Sequence, residues 1–285
     1  MKVKRTTRVT KDCLHTERGR PHLRHSTISN DNHSNEEVRS VVNSDQQILK
    51  KPWRAILNAR YELLLKGNSL SFKGGFFGLC NVALLTAADG TRILFDTGHY
   101  CVRKALLASL KERGLAPTGI DLVFLSHLHF DHCQNLDLFK GVKVCVSETE
   151  LAYARNPHPD DLFVPWKIHE LLAEFDVRVL PKRGELVPGV EHFEVPGHTT
   201  GSQALRFTQA DGRRVVLAGD AVKYPKEVLA QMSDMCFASP EESKQSIAEI
   251  CEGTDVIVPG HFPEIFRRNG GWIWDEPPTI ELILR

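Results

Sequence analysis

No two cysteines stand in a CxxC spacing: the seven, Cys13, Cys80, Cys101, Cys133, Cys145, Cys236 and Cys251, are scattered and odd in number. That excludes a disulfide framework and a zinc ribbon, and free thiols fit a reducing compartment. No apolar run approaches the ~20 residues needed to cross a bilayer. The basic start, Met1 to Arg8, lacks the apolar stretch that would make it a signal peptide. The expectation is a soluble, cytoplasmic protein with no membrane partner. Charge of either sign is not in excess, with 36 Lys and Arg against 36 Asp and Glu. A strongly basic nucleic-acid binder and an acidic solvating protein are therefore excluded as whole-chain readings. What the 285 residues do hold is a surplus of histidine, 13 in all.

The first 52 residues differ from the rest. They are rich in Arg, His, Ser, Asn and Thr, with isolated apolar positions such as Leu14, Leu23 and Ile28. Such a stretch buries too little apolar area to offset its ordering entropy, so a disordered extension is expected over 1–52. A basic arm for nucleic acid is the alternative for it. Residues 53–285 then read as one domain of alternating strands and helices. Strands are expected at 60–65, 80–86, 92–95, 122–125, 142–146, 177–180, 204–207, 215–217 and 256–258, with Asp89-Gly90 as a hairpin turn. Helices are expected at 102–113, with Leu106, Leu107 and Leu110 on one face and Gly114 as C-cap, and at 240–251, with Ser239 as N-cap. Trp272, Trp274 and the Pro277-Pro278 pair read as a tail packed back on the domain. The pattern is that of an α/β layered sandwich.

The histidines concentrate the chemistry. Ser126-His127-Leu128-His129-Phe130-Asp131-His132 follows the apolar strand Leu122 to Leu125. In extended chain, residues two apart point the same way, so His127 and His129 converge on one point. Asp131 and His132 arrive as the chain turns out of the sheet, near a second point. Imidazoles with a carboxylate suit zinc, iron or manganese. Three later segments share one design, an apolar strand ending in a Gly and a potential ligand: Pro-Gly-His198, Ala-Gly-Asp220 and Pro-Gly-His261. A glycine just before the ligand permits a close backbone approach or a sharp turn.

With Asp96-Thr97-Gly98, these ordered motifs resemble the metallo-β-lactamase superfamily over roughly residues 60 to 265. The resemblance implies an α/β fold, a four-layer αββα sandwich, carrying a dinuclear site that activates a bridging hydroxide. It places His127, His129 and His198 on one metal, Asp131, His132 and His261 on the other, and Asp220 between them. Two zinc ions per chain are implied, with iron or manganese as alternatives. Asp96 would orient ligands without touching metal, and Asp131 could also take a proton from the attacking water. The reaction class is hydrolysis, by a metal-dependent enzyme.

Asp220 argues against true β-lactamase activity. The spacing from Asp220 to His261 is too short for the inserted domain of the RNA-processing nucleases. The chain after His261 is too short for the helical glutathione-binding domain of glyoxalase II. The remaining likeness is to the compact lactonase and ester-hydrolase branch. There a tyrosine three residues after the bridging aspartate bonds the substrate carbonyl; here Tyr224 stands four residues after Asp220 and is carried over as a candidate catalytic residue. Residues 151–174, with Tyr153, His158, Phe163, Pro165, Trp166 and His169, would form an aromatic lid over the metals. Cys133 is read as packing, His192 as structural, and His99 as a residue of the rim.

The leading expectation is a zinc hydrolase that opens a lactone or cleaves a carboxylic ester of a small molecule. Alternatives are a phosphodiesterase acting on RNA or a nucleotide, a thioesterase, a mononuclear-iron persulfide dioxygenase, and a metal-binding protein without catalysis. Residues 1–50 hold ten Lys and Arg against six Asp and Glu, leaving 26 against 30 in the remainder. A slightly acidic domain favours a neutral or weakly anionic small substrate over a nucleic acid.

Overall fold

A computed structural model describes residues 59–277, 280 and 281. The extension expected over 1–52 and Pro278 lie outside the described residues. The first half of the fold opens with β1 (Arg60–Leu65), a small hairpin of β2 (Ser71–Phe72) and β3 (Gly75–Phe76), then β4 (Val82–Thr86) and β5 (Arg92–Phe95). Helix α1 (Arg103–Glu112) leads to β6 (Leu122–Phe124), the one-turn α2 (Phe130–Cys133) and β7 (Lys143–Ser147). The short helices α3 (Glu148–Tyr153) and α4 (Ile168–Leu172) precede β8 (Val177–Leu180). The second half runs β9 (Arg183–Val187), β10 (Val190–Glu194), β11 (Gln203–Thr208) and β12 (Arg214–Gly219). Helices α5 (Pro225–Ala230) and α6 (Pro240–Cys251), then β13 (Val256–Pro259), β14 (Ile265–Arg268) and β15 (Gly271–Trp274), complete it.

The strands form two main sheets, ordered β1-β4-β5-β6-β7-β8 and β15-β14-β13-β12-β11-β10-β9. Side-chain alternation shows why they stack into four layers. On β4, Ala83 and Leu85 join Phe95, Leu205, Leu217 and Val258 in a core between the sheets. Val82 and Leu84 turn the other way, onto Leu106 and Leu110 of α1. On β12, Val215 and Leu217 face the inter-sheet core, while Val216 and Ala218 meet Ile247 and Ile250 of α6. Strands that are apolar on both faces need cover on both faces, and the result is the expected αββα sandwich.

Local signals explain most boundaries. Gly90, at φ +89°, closes the β4–β5 hairpin, and α6 begins with a capping box between Ser239 and Glu242 with Pro240 at its first position. Two sequence expectations shift. Leu107 is 37% exposed while Leu106 and Leu110 are fully buried, because adjacent helical residues lie about 100° apart. The strand expected from residue 80 begins at Val82, because Asn81 N donates to Gly260 O at 2.6 Å, off the β1–β4 ladder, while its side chain accepts from Gly67 N at 2.7 Å. The expected carboxyl-terminal tail is an edge strand, β15, with the Arg267 guanidinium 4.3 Å from the centre of the Trp272 ring.

Candidate metal centre

The parallel pairs β5–β6 and β12–β13 end on the same edge of the sandwich as the motifs identified in the sequence. Beyond β6 the chain bends at Ser126 and is extended at His129, with Leu128 buried in the core while His127 and His129 face the donor cluster. Helix α2 then starts at Phe130 and carries Asp131 and His132 on its single turn. The Pro-Gly turn after Val195 delivers His198, and the ends of β12 and β13 deliver Asp220 and His261. Gly260 is obligatory here: a Cβ on it would lie 1.9 Å from Asp220 Oδ1. Gly219 is equally constrained, at φ +52° with Ser126 2.8 Å from where its Cβ would be.

Three overlapping groups of donor atoms lie within 4.8 Å of one another: His127, His129 and His198; His127, His132 and Asp220; and Asp131, His132 and His261. All seven residues are buried. Each histidine has an outer nitrogen bonded to an acceptor that fixes its proton. His132 Nδ1 donates to Asp96 Oδ2 at 2.8 Å, His198 Nδ1 to Met235 O at 3.0 Å, and His261 Nδ1 to Asn68 O at 3.3 Å. His129 Nε2 donates to Asp161 Oδ2 at 2.9 Å. His127 Nδ1 lies 3.0 Å from Ser126 Oγ, which itself donates to Asp96 at 2.8 Å and so accepts from the imidazole. In every case the other nitrogen points inward, into the cluster.

Inside the cluster three of these nitrogens face carboxylates. Asp220 lies between the two ends, its carboxylate 3.4 Å from His198 Nε2, 3.3 Å from His132 Nε2 and 3.3 Å from His261 Nε2. Asp131 Oδ2 lies 3.3 Å from His261 Nε2. His127 Nε2, His132 Nε2 and Asp220 Oδ1 are buried with no hydrogen-bond partner. Orphaned acceptors converging in a buried space are costly unless a cation or proton joins them. Five inward ring nitrogens and two carboxylates fit divalent metal.

The two ends differ electrostatically. Burial, then the neighbouring His132, His129 and His198, hold His127 well below the usual imidazole range; burial and His129 hold His198 there too, against Asp220. At the other end, burial opposes charge, but Cys80 and the carboxylates Asp220, Asp131 and Asp96 raise His132 well above its ordinary value. His261 is raised by Asp220 in the same way, against the effect of burial. Burial raises Asp220, yet His261 and His132 outweigh it and hold its carboxyl well below the usual range.

Asp96 stays outside the cluster. It is fully buried at φ +61° and also accepts from Ser126 N at 2.7 Å, holding the start of the histidine segment. Tyr224 is not drawn into the donor groups: its hydroxyl donates to Asp234, and Lys226 lies 4.8 Å from its ring centre. The residue three after Asp220 is Lys223, buried, with Glu227 Oε1 3.6 Å from its ammonium. The 151–174 segment meets the cluster through Asp161 and through Phe163, whose ring is 5.5 Å from that of His129. Trp166, expected in the lid, is 88% exposed. His192 is buried against Gln203 and Cys133 is buried in the core. The ring of His99 lies 5.2 Å from that of Phe130.

Sequence reading missed three contributors. Glu150, on α3, accepts from Leu128 N at 2.9 Å and Thr199 Oγ1 at 2.7 Å, joining the His127–His129 segment to the His198 turn. Asp161 holds His129. Phe237 places its ring 6.0 Å from His198 and 6.1 Å from His129. The Ser147 cap ahead of Glu150 was the one local signal available.

The family description "Metallo-beta-lactamase superfamily" matches residues 75–261. The chain is 32% identical over 201 residues to metallo-beta-lactamase domain-containing protein 1 of Xenopus laevis, covering 70% of this chain and 78% of that protein. It is 29% identical over 157 residues to an N-acyl homoserine lactonase of Bacillus thuringiensis, covering 55% of this chain and 58% of that one. In fold it is similar to a probable metal-dependent hydrolase from Staphylococcus aureus, with a TM-score of 0.64, 16% identity, and coverage of 79% of this chain and 99% of that one. Among the described residues no helix is long and apolar enough to cross a membrane. The chain belongs to the metallo-beta-lactamase superfamily and is a metal-dependent hydrolase of that fold.

Proposed function

We propose that the chain is a dizinc hydrolase that opens lactones or cleaves carboxylic esters carrying an apolar acyl or aryl group. His127, His129 and His198 would hold one ion, Asp131, His132 and His261 the other, with Asp220 shared; iron or manganese would suit the same donors. When bound, such a pair supplies Lewis acidity and lowers the pKa of water to about 7.

The observation that carries the substrate class is the aromatic wall over the three-histidine end. Phe163 and Phe237 stand 6.4 Å apart beside His129, and Phe76 of the β2–β3 hairpin packs 5.6 Å from Phe163. Such a wall would bury an apolar acyl chain and exclude water from a carbonyl placed at the cluster. The likeness to a lactonase supports the same class. Asp131, through the carboxylate oxygen not given to metal, is assigned the proton of the attacking water: as the new C–O bond forms at the carbonyl carbon, the ring or ester C–O bond breaks and this proton passes to the leaving oxygen. Tyr224 would bond the substrate carbonyl on leaving Asp234.

The test is turnover by the zinc-loaded full chain of short- and long-chain N-acyl homoserine lactones, aryl esters and a nitrophenyl phosphodiester. Lactone or ester hydrolysis is expected, and Phe163→Ala should raise KM for the long acyl chain about tenfold while sparing the short one, given ~1.5–3 kcal/mol for a buried aromatic contact. Turnover of the phosphodiester alone would overturn the reading.

A further inference from the structure

Residues 151–174 are fixed to the candidate metal centre at a single short stretch. Asp161 has a fully buried side chain whose Oδ2 takes two hydrogen bonds, from His129 Nε2 at 2.9 Å and from Tyr153 Oη at 2.6 Å. Its Oδ1 accepts from Phe163 N at 3.0 Å, and its own N donates to His158 O at 2.8 Å, so the carboxylate has one available orientation. A second bond lies alongside: Phe130 N, the first amide of α2, donates to Phe163 O at 2.9 Å. The 161–163 stretch therefore grips two consecutive residues, one through a ring nitrogen and the next through the backbone.

The consequence lies in the imidazole. With its proton held on Nε2 by Asp161, His129 presents Nδ1 as a lone pair, 3.0 Å from His198 Nε2. A carboxylate on the outer nitrogen also makes the inner one a stronger donor. We infer that Asp161 is a positioning residue which orients His129 for metal and, through the same bond, makes the order of the 161–163 stretch depend on metal loading. The inference rests on the reading of His129 as a ligand. Linkage makes the effect reciprocal: what metal gives to the stretch, the stretch gives to metal affinity.

The experiment uses the full chain and zinc ion alone as probe, with affinity read by competition against a fluorescent chelator and local order by amide hydrogen exchange with and without zinc. In the unsubstituted protein, zinc should slow exchange at the amides of residues 130 and 161–163. Asp161→Asn should weaken zinc by about 10–100-fold, the usual cost of losing an outer partner of a ligating histidine, and abolish that protection. Tyr153→Phe, which removes the other donor to the same oxygen, should leave zinc affinity close to that of the unsubstituted chain. His129→Ala should lose one of the two zinc ions, the one assigned to His127, His129 and His198. Zinc-independent exchange in the unsubstituted protein overturns the inference without recourse to any variant. Equal losses in Asp161→Asn and Tyr153→Phe overturn it in favour of simple packing of the segment. An Asp161→Asn protein with both zinc affinities unchanged, while His129→Ala binds one ion fewer than the unsubstituted chain, overturns it and leaves the ligand reading standing. If His129→Ala still binds two zinc ions, the ligand reading itself falls, and this inference with it.

Discussion

His129 Nδ1 lies 3.0 Å from His198 Nε2, and both nitrogens bring lone pairs because Asp161 and Met235 O hold the protons on the far side of each ring. Two acceptors at that distance repel unless a cation or a proton joins them, so a bound metal ion would relieve a cost built into this edge.

Stripping metal with a chelator should therefore lower both activity and stability. A ligand present at 1,000 times its dissociation constant stabilises by about 4 kcal/mol. The melting temperature should fall by roughly 10 °C, at ~2–4 °C per kcal/mol for a domain of this size, and return with zinc. Scanning calorimetry with and without chelator decides it, and an unchanged transition would argue against bound metal.

Asp220→Ala should reduce kcat/KM by more than about 100-fold, since losing an inner ligand exceeds the 10–100-fold cost of losing an outer one. Elemental analysis of the purified variant should show fewer metal ions per chain than the unsubstituted protein. Full activity at full metal content would remove Asp220 from the centre.

Asp96→Ala leaves Ser126 N and His132 Nδ1 buried without their acceptor. Breaking such a buried arrangement costs about 3–5 kcal/mol, which chemical denaturation can measure. Asp96→Asn should cost less, because asparagine tolerates the left-handed backbone and keeps one acceptor oxygen.

Glu150→Ala removes both acceptors, leaving Leu128 N and Thr199 Oγ1 without the carboxylate that holds them. The expected loss is about 1–3 kcal/mol of stability. Zinc affinity should fall with it, because the segments carrying His129 and His198 are no longer joined. Retained stability with unchanged zinc binding would show that the join is dispensable.

Zinc uptake should release protons. Burial lowers both His132 and His261 but is outweighed, by Cys80, Asp220, Asp131 and Asp96 at His132 and by Asp220 and Asp131 at His261, so both are raised above their ordinary value. A raised pKa keeps their protons in the metal-free protein at and above the usual imidazole value of about 6.5, and metal must displace them. Apparent affinity should then rise with pH through the neutral range. Isothermal titration in buffers of different ionisation enthalpy measures the release; a heat independent of buffer would contradict it.

How much of this was legible follows from what leaves a trace in one dimension. Strands such as Arg92–Phe95 and Val177–Leu180, and the capped helix from Pro240 to Cys251, announce themselves by period and punctuation over neighbouring residues. The histidine motif is equally local, with two imidazoles on one side of an extended segment and two more ligands on the turn after it. The glycines before Asp220 and His261 signalled a close approach, and at Gly260 it is the Asp220 carboxylate that leaves no room for a Cβ.

Asp161 and Glu150 carried no such trace. Each is one acid in a short helix or loop, and each acquires its role from partners 22 to 49 positions away in the chain. Tyr224 shows the converse: its place near Asp220 was legible, but its hydroxyl bond to Asp234 was not. The sequence by itself determined an α/β layered sandwich and the candidate metal-ligating side chains, because alternation and motif spacing act between neighbours. Only the tertiary structure decided which nitrogen of each histidine faces inward, since that is set by Asp96, Asp161, Asn68 O, Met235 O and Ser126, all but the last distant in sequence from the ring they hold.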